Sequence, residues 1–537
     1  MERLTTVSSA RYIAPCAQLL NAEHAKTAAP PTDGARFKAV TPPSAESPPL
    51  SLLLAVLSDF RQQSLSYCYW KSSRRVCAAL SGATDLDLLI ARTEQHRAQA
   101  ILLERGLKLF PVVAHRDDPA MSSYLGYDEP SGRIVHLHLH FLLVAGYSLL
   151  KNYRLPWEEQ ILARAMSHPI LPIRILDPAS EALLLMVRSC LELRRSDPVI
   201  LRNWEATSCK FALDRAELAA RVDRETFRHR AAETVGEDVA DMLATAFSGD
   251  HALERQGRLR RRLQKELAPF RTYNAVEARL RGAWRGLLWT TGGLNERLLN
   301  WPRPWGRRAP GGGCVVALLG VNGSGKSTVV RAIQTWLGAQ VDVVPIYFGT
   351  GTGRPSLLLL PFKLMVPVIT PWLRAKPRGI SQGEVLGHPP GLLYSLLLMV
   401  WATVVALEKR GKLRASHRGA KRGLIVVADR YPQNEILDFN DGPLLARLSR
   451  TPLWLRRFEL GAYALARRLP PDLVIKLRVT PDTAARRKPD MQPAVILERV
   501  NALQRLTFPG ARVVSVDGEQ TLAKVIRAVK GEVWRLL

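Results

Sequence analysis

Cysteine is scarce in this sequence, and the few cysteines lie far apart. Six occur in 537 residues, at positions 16, 68, 77, 190, 209 and 314, and no two of them form a C-x-x-C pair. This spacing argues against a zinc knuckle or a disulfide framework and favours a reducing compartment. The N-terminus contains Arg3 and Arg11 but lacks a continuous apolar segment. We therefore expect no secretory signal peptide and a cytoplasmic protein.

Acidic residues are also few in comparison with basic residues. The sequence has 48 Asp and Glu against 76 Lys and Arg, for a net charge of +28. Such an excess favours anionic partners, although an arginine-rich proteome would give the same balance. We predict a nucleotide and a small phosphate-bearing acceptor as partners, with an anionic membrane surface as a further partner hypothesis. No specific nucleic-acid partner is predicted, and a homodimer remains open.

The length and the distribution of turn-forming residues predict more than one domain. Residues 1–48 are rich in Ala, Pro, Ser and Thr, which is typical of a disordered leader. Residues 301–313 combine Pro, Gly and Arg and form the clearest linker. We predict a leader (1–48), an α+β domain (49–175), a helical extension (176–300), this linker (301–313) and a doubly wound α/β domain with a parallel sheet (314–537).

A glycine-rich loop at the start of the last domain gives the strongest functional signal. An apolar run over 314–319 precedes Gly-Val-Asn-Gly-Ser-Gly-Lys-Ser-Thr at 320–328, and a helical pattern follows. Strand, glycine loop and helix with this spacing form a Walker A motif, or P-loop, which cradles phosphates with backbone N–H groups. We predict ATP and Mg²⁺ as cofactors. The candidate phosphate-binding residues are Gly320, Asn322, Gly323, Ser324, Gly325, Lys326, Ser327 and Thr328.

A second apolar run, over 424–429, ends in Asp429 and continues into Arg430 and Tyr431. An acid at the end of a core strand is typical of the second half of a P-loop site, where it lies beside Mg²⁺ or its water. We therefore predict Ser327 and Asp429 as the metal ligands of this half.

These segments together resemble the thymidylate kinase family of P-loop nucleoside monophosphate kinases. The resemblance rests on residues 320–328, on Asp429-Arg430-Tyr431 and on the basic pair Arg486 and Arg487. It implies phosphoryl transfer from ATP to a nucleoside monophosphate, dTMP by default. Lys326 would then stabilise the transferring phosphate, Asp429 would orient the metal's waters, Arg430 would hold the acceptor phosphate, and Arg486 and Arg487 would close over the phosphates.

Two positions differ from that family and leave the acceptor open. Asn322 stands where the family commonly has an acid in the P-loop, and residues 347–351 read Tyr-Phe-Gly-Thr-Gly in place of a Glu-Pro-Gly type segment. Arg354, in the following glycine-rich loop, is a candidate contact for the acceptor's phosphate.

The N-terminal half contains a second cluster of chemically active residues. Asp85 and Asp87 alternate along one predicted strand, and a pair of carboxylates on one strand face is a candidate Mg²⁺ site. A later strand carries His136, His138 and His140 at period two. These imidazoles either bind a metal or a phosphate, or form an ordinary half-exposed strand surface.

Residues 50–200 resemble the minimal nucleotidyltransferase-like proteins. The similar features are the Tyr69-Trp70-Lys71 strand, Gly82 before Asp85 and Asp87, and the three histidines. Working transferases usually present a third carboxylate where this chain has histidine. The resemblance implies a nucleotide-shaped pocket in an α+β domain. The pattern over 179–195 predicts an amphipathic helix in the helical extension that follows.

Two apolar stretches, 357–373 and 391–407, separate the P-loop helix from Asp429. The second is just long enough to cross a membrane, but a crossing there would divide the predicted sheet. We favour a buried helix or a face that docks on the membrane.

Three functions follow from these patterns. The first is an ATP- and Mg²⁺-dependent kinase. The second is a non-catalytic, regulatory nucleotide-binding protein at the membrane surface. The third is a nucleotidyltransferase that acts through Asp85 and Asp87.

Overall fold

A computed structural model describes residues 47–537 apart from 119, 250–255, 296–302, 350–391, 437–442, 444, 446–450 and 490. The chain divides into two units, Met1–Arg297 and Leu298–Leu537, which are treated separately below. The predicted leader, apart from residues 47 and 48, the stretch 357–373 and Arg354 lie outside the described residues.

The first unit contains nine strands and eleven α-helices among its described residues. The strands are β1 Tyr67–Tyr69, β2 Leu86–Ile90, β3 Lys108–Leu109, β4 Met121–Asp128, β5 Arg133–His140, β6 Leu143–Ala145, β7 Tyr153–Leu155, β8 Met166–Ser167 and β9 Arg174–Ile175. The helices are α1 Ser51–Gln62, α2 Val76–Leu80, α3 Gln95–Glu104, α4 Glu158–Ala163, α5 Pro178–Glu192, α6 Pro198–Arg202, α7 Trp204–Ala219, α8 Arg224–Val235, α9 Glu237–Ser248, α10 Gly257–Glu266 and α11 Ala275–Leu294.

Seven strands of the first unit form one mixed sheet in the order β3-β4-β5-β2-β1-β9-β8, and β6 pairs with β7. The β4–β5 hairpin is antiparallel, whereas β5 runs parallel to β2. Because β5 lies between β4 and β2, all its residues from Val135 to His140 are buried. The sheet thus carries the three histidines in its interior and not on a half-exposed surface.

Helix α5 organises the helical part of this unit. It begins at an Asp177 cap whose side chain accepts the Ser180 N–H, with Pro178 in the first turn. Only Pro178 and Arg188 of its fifteen residues are not fully buried, because α7, α8 and α10 all pack against it. The expectation of an amphipathic helix over 179–195 is therefore wrong in one respect, since no side of α5 faces solvent.

The second unit contains five strands and six α-helices among its described residues. The strands are β10 Cys314–Gly320, β11 Val343–Tyr347, β12 Ile425–Asp429, β13 Leu473–Arg478 and β14 Arg512–Asp517. The helices are α12 Lys326–Gly338, α13 Leu392–Lys421, α14 Leu453–Arg468, α15 Pro481–Arg487, α16 Pro493–Arg505 and α17 Leu522–Leu536.

The five strands form a fully parallel sheet in the order β11-β12-β10-β13-β14. Every residue of β10 and β12 is buried, as expected for central strands of a parallel sheet. The strand order reverses at β10, so the carboxyl ends of β10 and β12 border the place where such sheets bind ligands. The α/β class predicted for the C-terminal half is confirmed.

The apolar stretch 391–407 is the first part of α13, which extends to Lys421. Within the ranges that the structure covers, we find no helix with the length and apolar character needed to span a bilayer.

Candidate functional site

The P-loop connects β10 to α12 and depends on glycine for its shape. Gly323 and Gly325 have φ angles of +87° and +88°, which side chains other than glycine rarely adopt. At Gly320, a Cβ atom would lie 2.3 Å from Ser324 Oγ. The turn closes when the N–H groups of Thr328 and Val329 donate to Gly325 O. The helix therefore begins with its N-terminal end against the loop.

Lys326 is folded into this loop. The residue is 7% exposed, and Nζ donates to Gly320 O and Val321 O at 2.8 Å each. Burial, with a further contribution from the Arg430 charge, lowers the pKa of Lys326 from 10.5 to about 7, while Asp429 acts in the opposite direction. An anion in the loop would favour the charged form of this amine.

Ser327 and Asp429 meet across the sheet edge. Ser327 Oγ donates to Asp429 Oδ2 at 3.0 Å, and Asp429 is 8% exposed. Asp429 Oδ1 is buried and has no hydrogen-bond partner among the described residues. A hydroxyl and an unpaired carboxylate oxygen are hard oxygen ligands of the kind that Mg²⁺ prefers. The pair therefore fits the metal predicted here.

Arg430 follows Asp429 directly and has a strained backbone, with φ at +69°. A non-glycine residue in this region is uncommon and is often found at functional sites. Its N–H donates to Leu318 O, and its guanidinium donates to Asn322 Oδ1 at 3.2 Å. The side chain is thereby held over the P-loop.

The two arginines at the end of α15 differ in their contacts. Arg487 donates to Gly323 O at 3.3 Å, whereas Arg486 donates to Thr483 Oγ1 at 3.0 Å within its own helix. Both side chains are exposed. The structure thus brings Arg487 to the P-loop with Lys326, Ser327, Asp429 and Arg430, but it does not bring Arg486 there.

The first unit holds a second polar site between β2 and β5. His136 Nδ1 lies 2.5 Å from Asp85 Oδ1, and Asp87 Oδ1 lies 3.2 Å from His138 Nδ1 and 2.9 Å from His140 Nε2. The parallel register that pairs Asp87 with His138 produces these contacts. All three imidazoles are at least nine-tenths buried. The structure therefore joins the two predicted carboxylates to the predicted histidine row.

A cavity of about 190 Å³ opens beside these carboxylates. Asp85 and Asp87 line it together with four cations: Lys71, Arg75, Arg188 and Lys210. Burial lowers the pKa of Lys71 to about 8, and burial together with the charges of Arg75 and Arg188 lowers the pKa of Lys210 to about 7. Sequence reasoning did not group these cations, because they come from separate elements far apart in the chain and share no spacing.

The fold and the site together define the class of protein to which the second unit belongs. A glycine loop after the central strand of a parallel sheet, with a carboxylate at the end of the neighbouring strand, gives the second unit the architecture of a P-loop NTPase.

Comparison with known proteins supplies a family. The chain belongs to the family of the uncharacterized ATP-binding protein YghS of Escherichia coli (strain K12), to which it is 31% identical over 218 residues, 40% of this chain and 90% of YghS. The uncharacterized ATP-binding protein YghR of the same strain is 25% identical over 222 residues, 40% of this chain and 83% of YghR. No protein-family model matches the chain.

A solved structure of deoxyadenosine kinase from M. mycoides with bound dCTP is 14% identical and covers 41% of this chain and 98% of that one. Its TM-score of 0.24 is too low to establish a shared fold.

Proposed function

We propose that this protein is an ATP- and Mg²⁺-dependent phosphotransferase. Its acceptor is a small phosphate-bearing molecule, a nucleoside monophosphate by default and dTMP first among these, as in the thymidylate kinases. One observation carries the proposal: Lys326, Ser327, Asp429 and Arg430 gather around one glycine loop at the carboxyl edge of the parallel sheet. The names of YghS and YghR, which describe ATP-binding proteins, support the choice of nucleotide.

Each residue has a distinct role in the proposed reaction. The loop N–H groups of Gly323 and Gly325 and the start of α12 hold the β- and γ-phosphates of the donor. Lys326 moves from its carbonyl contacts to the phosphate oxygens and neutralises charge that develops during transfer. Ser327 and Asp429 hold Mg²⁺, which when bound offsets charge on the transferring group.

Arginines define where the acceptor would lie. Arg430 is fixed by its backbone and by Asn322, so its remaining N–H groups are positioned for an acceptor phosphate. Arg487 already contacts Gly323 O and would shield the transferring phosphate from water. Arg486 joins it only after its bond to Thr483 breaks.

The test is acceptor-dependent ADP release from the full chain, measured over nucleoside monophosphates and phosphorylated sugars. We expect stimulation by one class of acceptor and loss of that stimulation in Lys326→Ala. Lys476→Ala is the matched control, because Lys476 is also buried and bonds two backbone carbonyls, of Gln504 and Leu506. Equal ADP release by wild type and Lys326→Ala with every acceptor would rule out the kinase.

A second candidate function is regulatory nucleotide binding at a membrane surface. The start of α14 favours it, because Leu453 and Trp454 are 68% and 69% exposed and are followed by Arg456 and Arg457. Apolar side chains beside arginines suit an anionic interface. This function predicts ATP binding without acceptor-stimulated turnover. It also predicts liposome binding that weakens with salt and in Trp454→Ala; binding unaffected by both changes would exclude it.

A third candidate is nucleotidyl transfer in the first unit, for which residues 49–175 would form a nucleotidyltransferase-like domain and 176–300 its helical extension. The cavity that joins Asp85 and Asp87 to four cations favours it. Pyrophosphate release that is unchanged in Asp85→Asn/Asp87→Asn would remove this candidate. Light scattering of the purified chain decides whether it is a homodimer.

A further inference from the structure

The interior of the first sheet contains a carboxylate oxygen shared by two imidazoles. We call Asp87, His138 and His140 the histidine cluster. His138 Nδ1 and His140 Nε2 lie 3.2 and 2.9 Å from the same atom, Asp87 Oδ1. The two histidine residues are 8% and 5% exposed. Neutral imidazoles in this arrangement both donate their N–H groups to one oxygen.

The outer nitrogens of the same imidazoles have no partner. His138 Nε2 and His140 Nδ1 are buried, and neither has a hydrogen-bond partner within the described part of the chain. Because neither nitrogen is engaged, each can carry the ring proton in the tautomer that leaves the inner nitrogen with a lone pair. Both imidazoles can therefore present a lone pair on the side of Asp87.

Two of the spacings among the three inner atoms match a coordination sphere. Ligands about 2.0–2.1 Å from one ion, at angles between octahedral and tetrahedral, lie about 2.9–3.4 Å apart. The two distances from Asp87 Oδ1 fall in this range. One ligand atom from each of the three residues lies within 4.8 Å of the others.

We propose that Asp87, His138 and His140 bind one divalent transition-metal ion of the Zn²⁺ type in the first unit. The ion takes the position of the two inner protons, which move to His138 Nε2 and His140 Nδ1. Imidazole nitrogen suits Zn²⁺, whereas Mg²⁺ prefers oxygen ligands only. The proposed ion therefore differs from the Mg²⁺ that the sequence predicts for Asp85 and Asp87. The proposal is independent of phosphoryl transfer in the second unit.

A second triad, Asp85, His136 and His138, also has its atoms within 4.8 Å of one another, and His138 is common to both. His136 uses both ring nitrogens, one with Asp85 at 2.5 Å and the other with the Ser123 hydroxyl at 2.9 Å. An ion there would have to displace one of these bonds. The histidine cluster is therefore the favoured site.

The cavity reaches the cluster at Asp87. Asp87 lines it, so water or an anion can complete the coordination of an ion with three protein ligands. Lys71 and Arg188 line the same cavity and oppose an additional positive charge there. They favour hydroxide or another anion as the remaining ligand, which offsets that repulsion.

The test is Zn²⁺ binding by the full chain after removal of metal with a chelator. Calorimetry and elemental analysis should give one tight ion per chain in wild type, in the presence of excess Mg²⁺. His138→Ala and His140→Ala should each weaken binding by at least about tenfold. His136→Ala is the matched control from the same strand and should change affinity by less than about threefold.

Two further readouts protect the test against misfolded variants. Zn²⁺ should raise the midpoint of thermal unfolding of wild type, but not that of His138→Gln/His140→Gln. Co²⁺ in place of Zn²⁺ should give visible absorption bands that the same double variant loses. The proposal is wrong if wild type binds no Zn²⁺, or if His136→Ala loses as much affinity as His140→Ala. The first result would leave the kinase proposal untouched, because acceptor-dependent ADP release is measured separately.

Discussion

ATP binding should take up a proton, because Lys326 is largely neutral in the free protein at moderately alkaline pH. Burial lowers the pKa of this amine to about 7. A neutral amine retains two N–H groups, which match its two acceptors, Gly320 O and Val321 O. A triphosphate in the loop would restore the pKa toward its ordinary 10.5 by direct attraction. Binding would then favour the protonated form.

The size of the effect follows from the two pKa values. At pH 8 a group with a pKa of about 7 is roughly one-tenth protonated, so binding should take up about 0.9 proton. Between pH 7.5 and 9 the protonated fraction falls by about 25-fold, and the affinity for ATP should fall by a similar factor. Calorimetry in buffers of different ionisation enthalpy measures the proton number directly.

Two variants test whether Lys326, and not another titrating group, takes up the proton when ATP binds. Lys326→Arg keeps the positive charge but does not titrate, so any ATP binding it retains should occur without proton uptake. Lys476→Arg is the matched control, since Lys476 also has a pKa lowered by burial but lies at the Gln504 and Leu506 carbonyls. Binding by wild type at pH 8 without proton uptake would refute this reasoning.

Three further outcomes test the same site. Asp429→Asn should lower acceptor-stimulated ADP release by at least about 100-fold, since it removes the charge on the predicted metal ligand, and added Mg²⁺ should not restore it. Arg487→Ala should lower kcat by about tenfold or more, whereas Arg486→Ala should have a smaller effect, because of these two arginines only Arg487 contacts the P-loop. Equal losses of kcat in the two variants would contradict this geometry. Gly323→Ala should lower the free energy of unfolding by about 1–2 kcal/mol in urea titrations, since its φ is +87° and a Cβ would lie 3.2 Å from Ala484 O; an unchanged midpoint would contradict this.

The P-loop could be predicted because its parts are adjacent in sequence. Apolar strand, glycines, Lys326 and helix follow one another, so the spacing alone specifies the turn. Asp429 could be predicted as a strand end, but its contact with Ser327 depends on β12 lying beside β10. Strand order in a parallel sheet is set by tertiary packing, which a local pattern does not contain.

The first unit shows where local patterns are insufficient. The two-residue alternation of side chains along a strand correctly placed His136, His138 and His140 on one face of β5. It could not decide whether that face is buried. The answer depends on β5 having a partner on each side. Likewise, Lys71 and Lys210 reach one cavity from positions 139 residues apart, and no spacing rule joins them.

The two units place carboxylates at the ends or middles of buried strands, but the surroundings give these groups different chemistry. Asp429 keeps one oxygen without a partner beside a serine hydroxyl, which suits a hard ion that retains water. Asp87 shares one oxygen between two imidazoles, which suits an ion that accepts nitrogen. Because Mg²⁺ prefers oxygen ligands, it should compete only weakly with Zn²⁺ for the cluster of Asp87, His138 and His140. The protein would then hold a catalytic Mg²⁺ and a separate nitrogen-bound ion at the same time.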